Sequence, residues 1–186
     1  MKKAILAALV VAMLSSVCHA QDVPKGDVAV GYSLLFLPKG FTLTLNGGST
    51  AVALNVNRWL GVVGDFGVYG GSSGIPGLVG ETYMAGPRFS YRKWSRLTPF
   101  AQGLIGGAHA NNTSGGFLGR NNAFGFGGGV GGDLALDHAG KFALRGQLDF
   151  LNFRTGHTSS LDFNTGAFRL STGVVFRIGR SRQTGN

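Results

Sequence analysis

The chain has 186 residues, a formal net charge of +9 and 33 glycines, and its only cysteine is Cys18. The glycines follow no collagen period, and the length after a short leader fits one domain. No apolar run after residue 20 approaches the length of a membrane-spanning helix, so any membrane crossing there must use a closed barrel.

Residues 1–20 are a predicted secretory signal peptide. Lys2 and Lys3 precede an apolar run, and the small residues that end at Ala20 fit a cleavage site before Gln21. Lipoprotein modification of Cys18 is the weaker alternative, because the residues before it do not match that motif. Cleavage would remove the cysteine, which excludes disulfides, and would leave 15 basic against 8 acidic residues, a formal charge of +7. In an exported chain this charge favours anionic lipid head groups over nucleic acid as the partner.

After a polar lead at residues 21–26, apolar and polar side chains alternate along eight segments. Alternation predicts strands, because successive side chains of a strand point to opposite faces. Pro87 removes a hydrogen-bond donor from the fourth segment and predicts a bulge or bend there. In the fifth segment the pattern does not assign the faces. The predicted strands are residues 27–37, 50–58, 60–70, 81–93, 98–110, 123–136, 141–153 and a closing strand that contains 170–178.

The connections between these segments alternate in length. The short ones follow the second, fourth and sixth strands, and the long ones are residues 38–49, 71–80, 111–122 and 154–162. Outer-membrane barrels combine an even strand number with short periplasmic turns and longer outer loops. This favours an all-β, eight-stranded antiparallel up-and-down transmembrane barrel over residues 27–179, rather than a soluble β-sandwich. Aromatic residues near the short turns would form an interfacial girdle: Trp59, Tyr91, Trp94 and Phe100.

The closing strand carries a more specific pattern. Ser171, Gly173, Phe176 and Ile178 stand in the order polar, glycine, aromatic, hydrophobic, which resembles the assembly signal in the last strand of bacterial outer-membrane barrels. A polar tail at residues 180–186 follows it, whereas many such barrels end at the aromatic residue.

The whole chain after residue 20 resembles the small eight-stranded barrels of the outer-membrane protein A family, without the peptidoglycan-binding domain that many members carry. The resemblance implies localisation in the cell outer membrane of a Gram-negative-type bacterium and insertion by the barrel-assembly machinery. We expect a monomer surrounded by outer-membrane lipids and lipopolysaccharide, and no nucleic-acid partner.

Two groups of residues invite a chemical interpretation. His157 and Ser159 share one side of an extended segment with Asp162 nearby, as serine hydrolysis would require, and this resembles certain outer-membrane lipid A deacylases. Polar loops hold such triplets by chance, so a solvated loop is the favoured interpretation. The glycines at 127, 129 and 132 match a dinucleotide fingerprint in spacing, but a strand pattern continues through them where the fingerprint needs a helix. We therefore expect no cofactor and no metal site.

The predicted inward face carries seven charged residues and Gln147. The lumen of an eight-stranded barrel is just filled by side chains, and buried charges must be paired. A salt-bridged plug is therefore favoured over a polar pore. The sequence thus predicts a non-enzymatic outer-membrane barrel with a structural or surface-interaction role; a lipid hydrolase and a small passive pore remain alternatives. The predicted lumen charges are Asp65, Arg88, Asp133, Arg145, Asp149, Arg169 and Arg177.

Overall fold

The computed structural model describes residues 24–37, 43–70, 78–94, 96–112, 121–138, 140–155 and 164–179. It confirms the predicted fold class: eight antiparallel strands pair in sequence order and close into one barrel. Pairing of β1 with β8, from Gly26 opposite Ile178 to Phe36 opposite Phe168, completes the closure. The expected signal peptide and the C-terminal tail at 180–186 lie outside the described residues. The strands are β1 (Gly26–Leu37), β2 (Leu43–Asn55), β3 (Leu60–Gly70), β4 (Leu78–Ser90), β5 (Leu97–Asn112), β6 (Asn121–Ala135), β7 (Phe142–Thr155) and β8 (Asn164–Ile178).

The two faces of the wall follow the alternation in the sequence. In β8, Phe168, Leu170 and Val174 point outward and are about half exposed, whereas Arg169 and Val175, each next to one of them, are fully buried. The other strands divide in the same way, so the outside of the barrel is a broad apolar surface. A surface of this size is unfavourable in water but matches the lipid-facing band of a membrane barrel. The described residues include no helix long and apolar enough to cross a membrane.

The strands run further into the predicted long loops than the sequence indicated. β2 begins at Leu43 rather than at residue 50. Residues 46–48 (Asn-Gly-Gly), whose composition is typical of a turn and which lie in the predicted connection 38–49, pair with both β1 and β3. Gly47 is not among the glycines with positive φ. A Cβ at Gly47 would instead overlap the carbonyl oxygen of Val68. Close approach of two strands, not a turn, therefore explains this glycine.

This extension also reduces the predicted contrast between long and short connections. The β1–β2 connection spans residues 38–42, which is no longer than the β4–β5 connection at residues 91–96. Polar residues such as Asn111 and Asn121 continue the β-ladder past the apolar band, and the sequence pattern had placed them in loops.

The expected bulge at Pro87 is wrong. Ala85 lies opposite Ile105, and Arg88 lies opposite Gln102, so the register of β4 against β5 is the same on both sides of the proline. Pairing with β5 lapses at Pro87 and at the residue before it, because proline has no N–H to donate. The wall therefore accommodates the proline as a local gap, without an inserted residue.

The turn between β6 and β7 shows how the short connections are fixed. The Asp137 carboxylate accepts a hydrogen bond from the backbone N–H of Phe142 at 2.9 Å, and this bond lowers the pKa of Asp137. Gly140 has a φ of 63°, in the left-handed region that favours glycine. The carbonyl of Asp137 also accepts a hydrogen bond from Gly140 N–H at 3.1 Å, which closes the turn.

Candidate functional site in the barrel lumen

A network of charged side chains occupies the lumen from the short-turn end to the middle of the barrel. The structure places all seven predicted residues in the interior, with Arg177 the least buried of them. It adds an eighth, Asp27, at the second position of β1 and 3% exposed. The network thus has four arginines and four aspartates and no net charge. Its members are Asp27, Asp65, Arg88, Asp133, Arg145, Asp149, Arg169 and Arg177.

Arg145 is the centre of the part nearest the short turns. Its Nε donates to Asp133 Oδ1 at 2.7 Å and its Nη2 to Asp133 Oδ2 at 2.8 Å, which is a bidentate pair. The same Nη2 donates to Asp27 Oδ1 at 3.1 Å, and Arg88 Nη1 reaches that oxygen at 3.4 Å. Arg177 Nη2 lies 4.0 Å from Asp133 Oδ2 and ends the network at this side.

Gln102 joins this part to the middle of the lumen. Its Oε1 accepts hydrogen bonds from Arg88 Nε and Nη2 at 3.1 and 2.9 Å, and its Nε2 donates to Asp149 Oδ1 at 3.1 Å. Asp149 Oδ2 in turn accepts from Arg169 Nε at 2.9 Å. Arg169 holds Asp65 with its two Nη groups. Charges and one amide therefore form an uninterrupted chain of contacts, which is what makes buried charges tolerable.

Phe100 corrects the predicted aromatic girdle. It points into the lumen and is 5% exposed. The guanidinium carbons of Arg88 and Arg145 lie over its ring at 4.5 and 4.9 Å from the centroid, in cation–π geometry. The sequence could not show this, because β5 carries large apolar residues on both faces, with Ile105 outside and Phe100 inside.

The other girdle residues lie on the outer surface near the short turns. Trp59 stacks on Phe89 with ring centroids 5.7 Å apart, and Tyr91 meets Trp94 edge to face at 5.6 Å. Both tryptophans are 56% exposed. Amphipathic rings at this level are typical of the boundary between hydrocarbon and head groups.

Glycines on the inner face of β6 make room for this network. A Cβ at Gly129 would overlap Asp149 Oδ1, and a Cβ at Gly131 would lie 2.5 Å from the Phe100 ring. One at Gly125 would lie 2.9 Å from the Phe153 ring. The glycine spacing thus reflects packing inside a narrow barrel. It lies wholly within a strand that leads to another strand, not at the strand-to-helix turn of a dinucleotide site.

The outer half of the lumen is apolar rather than charged. Three serines mark the transition: Ser33 Oγ lies 2.6 Å from Ser49 Oγ and 2.7 Å from Ser171 Oγ. An interior cavity near Asp65 and Arg145 has about 20 Å³, the space of one water molecule. The buried side chains that fill the lumen beyond the serines include Leu35, Leu45, Tyr69, Met84, Leu104, Leu151 and Phe153.

The four residues of the closing-strand pattern lie on both faces of β8. Gly173 faces inward directly opposite Gly31 of β1, and a Cβ on either would overlap the backbone of the other strand. Ser171 is the inward residue bonded to Ser33. Phe176 and Ile178 face outward, with the Phe176 ring 5.4 Å from Phe142. The pattern therefore lies at the seam where the barrel closes.

His157, Ser159 and Asp162, the residues of the alternative hydrolase interpretation, lie outside the described residues. Of the other histidines, His109 Nδ1 lies 2.7 Å from Asn122 Oδ1 across β5 and β6. The described chain holds no group of three His, Cys, Asp or Glu side chains that could bind a metal ion.

Taken together, the closed eight-stranded wall, its apolar exterior and its polar inner network define a small barrel of the outer-membrane type. Comparison with solved structures supports this class. Neisserial surface protein A has a TM-score of 0.67, with 15% identity over 86% of this chain and 100% of that one. OprG of Pseudomonas aeruginosa has a TM-score of 0.60, with 8% identity over 86% and 98%. Ail, the attachment invasion locus protein of Yersinia pestis, has 0.56, with 15% identity over 82% and 97%. No protein-family model and no characterised relative match the sequence itself.

Proposed function

We propose that the protein is a non-enzymatic, non-conducting barrel of the outer membrane, whose closed wall has a structural role and displays the connections between its strands at the cell surface. The observation that carries this proposal is the neutral network of four arginines and four aspartates across the lumen. Each charge in it has a partner of opposite sign, and six of its members are less than 5% exposed.

A network of this kind opposes the flow of ions in two ways. The bidentate Arg145–Asp133 pair and the Arg169–Asp65 pair fill the cross-section with side chains, and opening them would leave buried charges unpaired. Beyond the network the described outer half of the lumen is mostly apolar, and a buried hydroxyl such as that of Thr82 offers a hydrated ion no charge. A lumen of eight strands has little room beyond its own side chains.

A sealed wall leaves the outer connections as the part that can meet other molecules. These are residues 38–42, 71–77, 113–120 and 156–163, which join strands at the end opposite the short turns. Neisserial surface protein A and the attachment protein Ail share this architecture, by their names a surface protein and an attachment protein. Fold does not carry function across such low identity, so this likeness supports a surface role only as an analogy.

Single-channel recording tests the proposal directly. Purified, folded protein, verified by its heat-modifiable mobility on a gel, is added to planar bilayers beside a large porin as the positive control. We expect no steady conductance from the wild type. The Arg88→Ala/Arg145→Ala variant removes two of the side chains that cross the lumen and should admit brief current steps, while Arg154→Ala on the outer surface should stay silent. Large, stable steps from the wild type would refute the plug and establish a pore.

A further inference from the structure

A ring of basic side chains surrounds the barrel at its short-turn end. We call this ring the basic collar. Its residues are exposed and lie in or beside the described turns and the start of β1. They are Lys25, Arg58, Lys93, Arg96 and Lys141.

The collar is fixed in place by backbone hydrogen bonds between neighbouring strands. The carbonyl of Lys25 accepts from Asn55 N–H at 3.0 Å, and that of Arg96 accepts from Ala135 N–H at 2.8 Å. The carbonyl of Lys141 accepts from Arg177 N–H, also at 2.8 Å. The backbone of three collar residues is therefore fixed at three different places round the rim.

Among the described residues the collar has an excess of positive charge. The four aspartates of the lumen are paired with the four arginines there. Asp137 is the only acid in the described turns, and its carboxylate attracts Lys141, so it offsets one of the five cations. At the opposite end of the described strands the outward-facing charges are one of each sign, Glu81 and Arg154.

The collar adjoins the aromatic girdle. Lys93 Nζ lies 5.9 Å from the centroid of the Tyr91 ring, and Trp94 follows it in the chain. Arg58 immediately precedes Trp59. Because exposed aromatic rings mark the level where hydrocarbon gives way to head groups, cations beside them lie at the level of lipid phosphates.

From this arrangement we infer that the basic collar binds the phosphate groups of anionic phospholipids in the leaflet that faces the periplasm. The occupant is an anionic phospholipid of the phosphatidylglycerol class rather than the cell wall, since the cations adjoin the girdle at the membrane boundary. Short turns of such barrels lie on the periplasmic side, which assigns the leaflet. This inference does not depend on whether the lumen conducts.

The two tryptophans give a built-in probe, because Trp59 and Trp94 are the only ones in the chain and both adjoin the collar. The full chain is inserted into phosphatidylcholine vesicles that contain the same fraction of either brominated phosphatidylglycerol or brominated phosphatidylcholine. Bromine quenches tryptophan on contact. We expect brominated phosphatidylglycerol to quench the tryptophan fluorescence with an apparent affinity about fivefold higher than brominated phosphatidylcholine does. This factor corresponds to the ~1 kcal/mol that one basic residue contributes at an anionic surface. The preference should fall as salt is raised.

In the variant Lys93→Gln/Arg96→Gln the two brominated lipids should quench the tryptophans with nearly equal apparent affinity. Arg154→Gln is the matched control, because Arg154 also lies over an aromatic ring, that of Phe126 at 5.3 Å, but at the other end of the barrel. It should keep the preference. Equal quenching by both lipids in the wild type, or an undiminished preference in the double variant, would overturn the inference. A third outcome would assign the collar to the cell wall instead. In it, the wild type shows no lipid preference but co-sediments with purified peptidoglycan, and only the double variant loses this co-sedimentation.

Discussion

Asp27 Oδ1 accepts hydrogen bonds from two arginines on different strands, Arg145 of β7 at 3.1 Å and Arg88 of β4 at 3.4 Å. Asp27 itself lies on β1, so one carboxylate ties three strands together across the lumen. It is also the residue that brings the network to zero net charge. Without it four arginines would face three aspartates, and one arginine would be buried with an uncompensated charge.

Asp27→Ala should therefore destabilise the barrel strongly. It leaves Arg88 without an ionic partner and deprives Arg145 of one of two, which for a buried pair costs roughly 3–5 kcal/mol in the free energy of unfolding. Urea unfolding in lipid vesicles, followed by tryptophan fluorescence, measures this value. Glu81→Ala is the control: Glu81 is an exposed acid on β4, and its loss should change stability by less than about 0.5 kcal/mol. Equal midpoints for the two variants would contradict the assigned role of Asp27.

The arginines of the network should differ in importance according to burial. Arg169 is fully buried and holds both Asp65 and Asp149, so Arg169→Ala should lower the free energy of unfolding by roughly 3–5 kcal/mol. The side chain of Arg177 is 13% exposed and its closest carboxylate contact is 4.0 Å, so Arg177→Ala should cost about 1 kcal/mol or less. The same urea titration compares them. A larger loss for Arg177→Ala would show that the network does not stabilise the barrel through its buried pairs.

Space around the network can be tested with two glycines of β6. A Cβ at Gly129 would overlap Asp149 Oδ1, so Gly129→Ala must displace the carboxylate that binds Arg169 and Gln102, at a cost of about 1–3 kcal/mol. Gly132 faces outward, and a Cβ there would make an ordinary contact with Leu97 at 3.4 Å. Gly132→Ala should be close to neutral. The midpoints of thermal unfolding of the two variants measure this difference. Equal destabilisation would mean that the absence of a side chain at Gly129 is not what leaves room for Asp149.

Most of the wall could be predicted from the sequence because its physical cause is local. In a strand between lipid and lumen, apolar and polar side chains alternate with a period of two. Neighbouring residues such as Arg169 and Leu170 of β8 show this alternation in the sequence. The prediction failed where the cause is not local. Residues 46–48 (Asn-Gly-Gly) have a composition typical of turns, but pairing with β1 and β3 on either side keeps them in a strand.

The charge network was predictable in composition but not in connectivity. Asp27 shares the inward parity of Ala29 and Ser33, so the pattern of β1 contained the signal for it, although its place at the strand end obscured it. The pairs could not be assigned, because they depend on how strands are staggered across the barrel. Arg145 and Asp27, for instance, are 118 residues apart and lie on strands that are not neighbours.

Two aromatic residues at the barrel seam can separate an assembly signal in the closing strand from ordinary packing. Phe176 and Phe142 form one aromatic pair with centroids 5.4 Å apart, and both rings face lipid at 45% and 46% exposure. Phe176→Ala and Phe142→Ala therefore remove equivalent contacts and should reduce the stability of the folded barrel equally. Only Phe176 belongs to the pattern formed with Gly173, so only Phe176→Ala should slow insertion by the assembly machinery and leave degraded or periplasmic protein.

The measurement is a pulse-chase of outer-membrane insertion in cells, scored by heat-modifiable mobility, with unfolding of both purified variants run beside it. Phe176→Ala combined with Gly173→Asp should slow insertion further. That double variant tests the signal less specifically, because a side chain at Gly173 also overlaps the backbone of β1 at Gly31. Ser73→Ala, in the β3–β4 connection, serves as a neutral control. If Phe142→Ala delays insertion as much as Phe176→Ala does, the effect belongs to the aromatic pair. If neither variant delays insertion, the closing-strand pattern is not the signal, or the tail at residues 180–186 replaces it.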